Sequence, residues 1–215
     1  MVPGKRCGRP FEVPSYAPME SPGEEDSSVL VQTLLRWGGL LTAAAAVLYV
    51  ISDSVALFFI FGQGGSGTGV FLRNIVAVYA RVPLLVGLVA LYVYQRKAIG
   101  PCGLVGFLEA LVGTLLWPLY PVWPGVLASL GWVLFGALSL DAGVYSGAAL
   151  SLLIVGAGLS GVANALTASG LLAGNLGFTT GVLLADIIFH TATVWLGFEL
   201  FTKRSGKVQQ SVPAS

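Results

Sequence analysis

A single histidine, His190, and two cysteines, Cys7 and Cys102, are the only imidazole and thiol groups in the 215-residue sequence. One imidazole supplies neither bis-histidine haem ligation nor a three-histidine metal centre. The cysteines form no CxxC pair and no familiar zinc pattern with it. No metal and no cofactor is therefore expected, and both cysteines read as free thiols. Charge is equally scarce: Lys, Arg, Asp and Glu make up 10% of the chain, against about a quarter in soluble domains. With 11 basic and 10 acidic residues and a formal net charge of +1, there is no concentrated basic face for a phosphate backbone, which excludes nucleic acid as a partner. GxSxG, HExxH and paired catalytic carboxylates are also missing, so an enzyme is a weak reading. An acid–base enzyme using Asp186 and His190 on a lipid-like substrate is the form it would take.

What the sequence has is long apolar runs. Hydrophobic residues make up 55% of it and the mean hydropathy is +0.84, values that belong in a bilayer. The expected fold is an all-α, polytopic membrane helix bundle with six transmembrane helices. It comprises a disordered tail over 1–28, a helical domain over 29–204 and a short polar tail over 205–215. Residues 1–28 carry five of the 11 prolines and a mixture of basic and acidic groups without helical or strand period. No short apolar core follows Lys5-Arg6, so the first span reads as a retained anchor and not as a cleaved signal.

The expected helices run from Gly38 to Phe61, Val70 to Tyr94, Pro101 to Pro118, Gly125 to Leu140, Gly143 to Thr167 and Phe178 to Phe201. Between the first two, Gly62-Gln63-Gly64-Gly65-Ser66-Gly67 formally matches a dinucleotide-binding GxGxxG pattern. That fingerprint needs a preceding strand and a soluble βαβ unit, so a flexible connection is expected instead. Pro83 predicts a kink or an unpaired carbonyl beside Arg81. Gly143, Gly147 and Ser151, and then Ala157, Gly161 and Ala165, recur every four residues as close-packing faces, which suit contacts within the chain or with a second copy. Arg36, Arg96-Lys97 and Lys203-Arg204-Lys207 fall on one side of a six-span arrangement. The other side carries no basic loop residue, so both termini are expected in the cytoplasm and the protein in the cell membrane.

The polar groups inside these runs are the functional candidates. Counted at 1.5 Å per residue, Arg81, Glu109, Asp186 and His190 fall at roughly 12 to 18 Å from the outer helix ends. Ionisable groups at that depth are costly and should face inward and pair. Asp186 and His190 share one face of the last helix, with Thr179 and Thr193 continuing a polar stripe. Two readings stay open. In one, the layer is a proton- or solute-responsive site of a small-solute or proton-coupled transporter. In the other it is a buried ion-pair network that fixes helix register. Asp53 with Arg73, nearer the outer surface, reads as a structural pair.

Arg36-Trp37-Gly38-Gly39, the stretch from Gly106 to Thr114, Leu134 to Ala137 with Ala142 to Val144, and Trp195 to Phe198 resemble small multi-span membrane proteins of actinobacteria and related bacteria. That group has no assigned activity, so the resemblance implies a six-span bacterial membrane protein and transfers no functional residue. Where such proteins often carry Pro-Arg, Tyr145-Ser146 stands here.

Overall fold

The computed structural model describes residues 24–63, 67–117, 122–170 and 176–209. Residues 1–23 of the expected tail, the centre of the glycine-rich connection and residues 118–121, 171–175 and 210–215 lie outside them. Among the described residues the fold is all-α, with five helices: α1 (Glu24–Gln63), α2 (Gly67–Leu116), α3 (Val122–Asp141), α4 (Gly147–Ala168) and α5 (Leu176–Gln209). Each contains a stretch long and apolar enough to cross a membrane. The chain is a multi-pass membrane protein.

Five helices rather than six are distinguished because the expected second and third form one continuous element, α2. Its backbone departs from helical geometry only at Gly100, where φ is 61° and ψ is −161°. That conformation is essentially restricted to glycine. The turn there is sharp: Tyr92 and Phe107 stack with ring centroids 4.4 Å apart, although fifteen residues of straight helix would separate them by about 22 Å. The arms 67–99 and 101–116 therefore fold against each other. Pro83, by contrast, sits inside helical backbone angles, and the break in the helix falls at Gly100. A Cβ at Gly100 would meet nothing within 4 Å. Gly100→Ala is accordingly expected to lose stability through backbone strain alone, by about 1–3 kcal/mol, measurable by denaturant unfolding in detergent.

Two further boundaries differ from expectation. Helix α1 starts at Glu24, within the stretch assigned to the tail. Helix α4 starts at Gly147 and not at Gly143, because Ser146 caps it, its hydroxyl accepting the Ala149 N–H at 3.4 Å. Gly143 instead lies in the preceding turn with φ 63°. The Gly143–Gly147–Ser151 face is consequently not a close helix contact, whereas Gly161 further along does meet Ser129 of α3.

The helices close into a ring in which α1 packs on α2 and α5, α2 on α3, α3 on α4, and α4 on α5. Small residues set the seams. Gly39 of α1 and Gly197 of α5 abut so closely that a Cβ on Gly39 would lie 2.8 Å from the Gly197 carbonyl oxygen. The half of the bundle nearer Gly100 and the α3–α4 turn is solid, filled by Leu91, Phe107, Phe135, Leu150, Leu196 and Leu200. The other half, towards the α1–α2 connection, has only two small apolar clusters, around Tyr49 and Leu84 and around Ala56 and Ile60. Polar residues collect in that half.

Candidate functional site

Arg73 is the centre of the polar layer. Its Nε donates to Asp53 Oδ1 at 2.6 Å, and its Nη2 donates to Asp186 Oδ2 at 2.5 Å. Ser160 of α4 donates to the second oxygen of Asp186 at 2.8 Å. One guanidinium thus ties α1, α2 and α5 together, and Ser160 adds α4. The carboxylates are buried, Asp53 at 0% and Asp186 at 4% exposure. A planar fork with five donors can bridge two carboxylates in this way where an ammonium would not hold both in plane. Asp53 Oδ2 is buried without a partner. It is the acceptor in the trio left open for a proton or a water.

The Asp53–Arg73 pair therefore extends to Asp186, and Arg73, not Arg81, is the cation that Asp186 holds. Counted from the helix ends, Arg73 lies about 9 Å deep and the two acids about 15 Å. The length of the arginine stem covers that difference.

Asp186 and His190 share a helix face but do not bond each other, because both Asp186 oxygens are engaged elsewhere. His190 is buried and stacks on Tyr49 of α1, with ring centroids 4.3 Å apart and planes 6° from parallel. Tyr49 is held in turn by its hydroxyl, which donates to the Ala77 carbonyl of α2 at 2.9 Å. The Nδ1 of His190 has no partner.

These groups border a cavity of about 350 Å³ to which all five helices contribute. Arg73, Asp186, Ser160 and their neighbours form one side. Arg81, Tyr49 and His190 lie deepest, about 21 Å from the helix ends nearest the α1–α2 connection. Trp117, Trp132 and Phe189 supply aromatic wall. Asn74 and Val78 line the cavity and are also exposed on the outside of α2. With Arg81 they stand at i, i+4 and i+7 on one face, so the lining of the cavity reaches the outside of α2 along that face.

Of the residues singled out from sequence, Arg81, Asp186, His190 and Arg73 meet around this cavity, with Asp53 directly behind Arg73. Glu109 does not. It is half-buried on the second arm of α2, where Gly131 of α3 packs against its backbone, and it does not line the cavity. Arg81 makes no ion pair among the described residues, and its Nε is buried without a hydrogen-bond partner. The described residues contain no group of three or more His, Cys, Asp or Glu placed to hold a metal. Cys102 is an exposed free thiol.

Sequence reasoning missed Tyr49, Ser160 and the tryptophans. A lone tyrosine or serine in an apolar helix is ordinary there, and only the depth that Ser160 shares with Asp186 could have drawn attention to it. Compared with known proteins, the chain matches no family model, no curated protein and no solved structure.

Proposed function

We propose that this protein is a six-span cell-membrane carrier that takes up a small solute in the cavity bounded by Arg81 and His190, with the Asp53–Arg73–Asp186 trio as its structural and proton-holding wall. The observation that carries the reading is a cavity at bilayer depth lined by Arg81 and His190, each with one buried nitrogen, Nε and Nδ1, that has no hydrogen-bond partner. A purely structural network would satisfy its buried polar atoms within itself. Here Arg73 does so for Asp186, while Arg81 and His190 are left over. An acid–base enzyme built on Asp186 and His190 is less well supported, because the two do not form a hydrogen-bonded dyad.

The fold-back at Gly100 supports a reading of six crossings, since 46 residues of continuous apolar helix would otherwise measure about 69 Å, over twice a hydrocarbon core of about 30 Å. An even count puts both termini on one side, and the basic residues make that side the cytoplasm. The α1–α2 connection and the cavity end then face outward.

The test uses a membrane-impermeant thiol reagent on proteoliposomes of known orientation, with Cys7→Ser as background. Cys102, beside the Gly100 bend, should label only from the cytoplasmic side. A Ser129→Cys substitution in the cavity wall, with Cys102 also replaced by Ser, should label from the outer side. Labelling of Cys102 from outside would overturn the orientation. A Ser129→Cys thiol that reacts only after unfolding would mean the cavity is closed, and the carrier reading would fall.

A further inference from the structure

The cavity contains one cation that the protein does not neutralise. Arg73 is shared between two carboxylates, and among the described residues no carboxylate reaches Arg81. Its Nε is desolvated and unbonded. In the same lining, the buried His190 has Nδ1 without a hydrogen-bond partner, and the stacked Tyr49 ring fixes the imidazole plane. A guanidinium held at bilayer depth calls for a counter-charge. Trp117, Trp132 and Phe189 line the same cavity, surfaces that take an apolar body. The volume of about 350 Å³ lies at the lower end of small-molecule sites, which run from about 300 to 1,000 Å³.

We propose that the ligand is a small monoanion with an apolar body, a carboxylate being the representative chemistry. Its charged end lies on Arg81 and His190 and its apolar part lies between Trp117, Trp132 and Phe189. This rests on the reading of the cavity as a solute site. The cavity thus sets a guanidinium and an imidazole, each with a buried nitrogen lacking a hydrogen-bond partner, in one lining with an aromatic wall. A cation finds no free carboxylate, because both oxygens of Asp186 are engaged and Asp53 lies behind Arg73. A strongly hydrated inorganic anion would leave the aromatic walls unfilled.

The same ligand chemistry can come from the bilayer or from water, and bromine-labelled probes separate the two. Bromine quenches tryptophan on contact, and Trp117 and Trp132 line the cavity. The purified full chain in lipid nanodiscs is titrated with ω-bromodecanoate, para-bromobenzoate and the two matching alcohols. Saturable quenching by the acids, with the alcohols weaker by about tenfold or more, is expected, because only the acid pairs the buried guanidinium. Saturation by the decanoate alone indicates a ligand drawn from the lipid. Saturation by the benzoate alone indicates one drawn from solution. Arg81→Gln should remove the acid preference and Arg81→Lys should keep part of it.

Alcohols that bind as well as the acids, or an Arg81→Gln protein with unchanged acid affinity, would overturn the anion proposal while leaving the cavity a solute site. No saturation by either acid also overturns it, and the carrier reading fails with it only if the Ser129→Cys thiol is inert as well. Where Arg81→Gln does not yield monodisperse protein, the comparison of acid with alcohol on the unaltered chain decides.

Discussion

Arg73→Met is expected to lower the free energy of unfolding in detergent by about 3 kcal/mol, at the lower end of the roughly 3–5 kcal/mol seen when one partner of a buried ion pair is removed. The lower end applies because the Arg73 side chain retains 21% exposure and some access to solvent. The loss comes less from missing attraction than from what remains: Asp53 and Asp186, both buried, with no cation between α1 and α5. Removing the acids as well should reverse most of it. The triple variant Arg73→Met, Asp53→Asn, Asp186→Asn leaves neutral amides where charges stood and should recover about half or more of the lost stability. Asp186→Asn alone should cost less, about 1–3 kcal/mol, since the amide oxygen still accepts from Arg73 or Ser160. Unfolding curves that place Arg73→Met within about 0.5 kcal/mol of the unaltered protein, the range of an ordinary surface substitution, would mean the trio does not hold the helices together.

The second large effect lies on the seam that closes the ring. Gly39→Leu should yield little folded protein, and Gly39→Ala should be destabilised by about 1–3 kcal/mol. A Cβ at Gly39 meets the Gly197 carbonyl oxygen at 2.8 Å and the Phe201 nitrogen at 2.9 Å. Both are backbone atoms of α5, which no rotamer change can move aside, so the helices themselves must separate. Separation there moves α5 away from α1, and with it Asp186 and His190 from Asp53 and Tyr49. Anion-dependent tryptophan quenching should therefore weaken in Gly39→Ala together with stability. A Gly39→Leu chain that purifies as a monodisperse species with an unshifted melting temperature would contradict this seam.

The apolar runs made the helices legible from sequence, and Gly100-Pro101 after Arg96-Lys97 marked the reversal inside α2. Composition gives burial and length directly. The partners in the polar layer were less legible, for a geometric reason. Depth counted along a helix locates a Cα, and an arginine places its charge several ångströms away from that point. Arg73 therefore appeared too shallow to reach Asp186, and Arg81 appeared the natural partner at matching depth. Rotation about the helix axis is the other missing coordinate. Glu109 shares a helix face with Gly106 and Gly113, glycines that meet α3, and none of the three lines the cavity. The polar stripe of α5 was read more successfully, with Asp186, His190 and Thr193 all buried and Leu184 and Trp195 exposed, because a single helix needs only its own period to be read. The cavity itself was not foreseeable, since it is bounded by residues from five helices whose relative rotations no local pattern specifies.

The trio around Arg73 also has a history in time. Asp53 and Arg73 are 20 residues apart in one helical hairpin, whereas Asp186 follows Arg73 by 113 residues. At about 5–20 residues per second of synthesis, the last helix trails the first pair by roughly 6–23 seconds. During that interval the nascent chain already carries a self-neutralised pair into the bilayer, with one guanidinium nitrogen still unclaimed. Arrival of α5 then supplies the second acid, completes the ring and creates the cavity in a single event. A chain that stalls or terminates before α5 lacks the carboxylate to which Arg73 Nη2 donates in the finished protein.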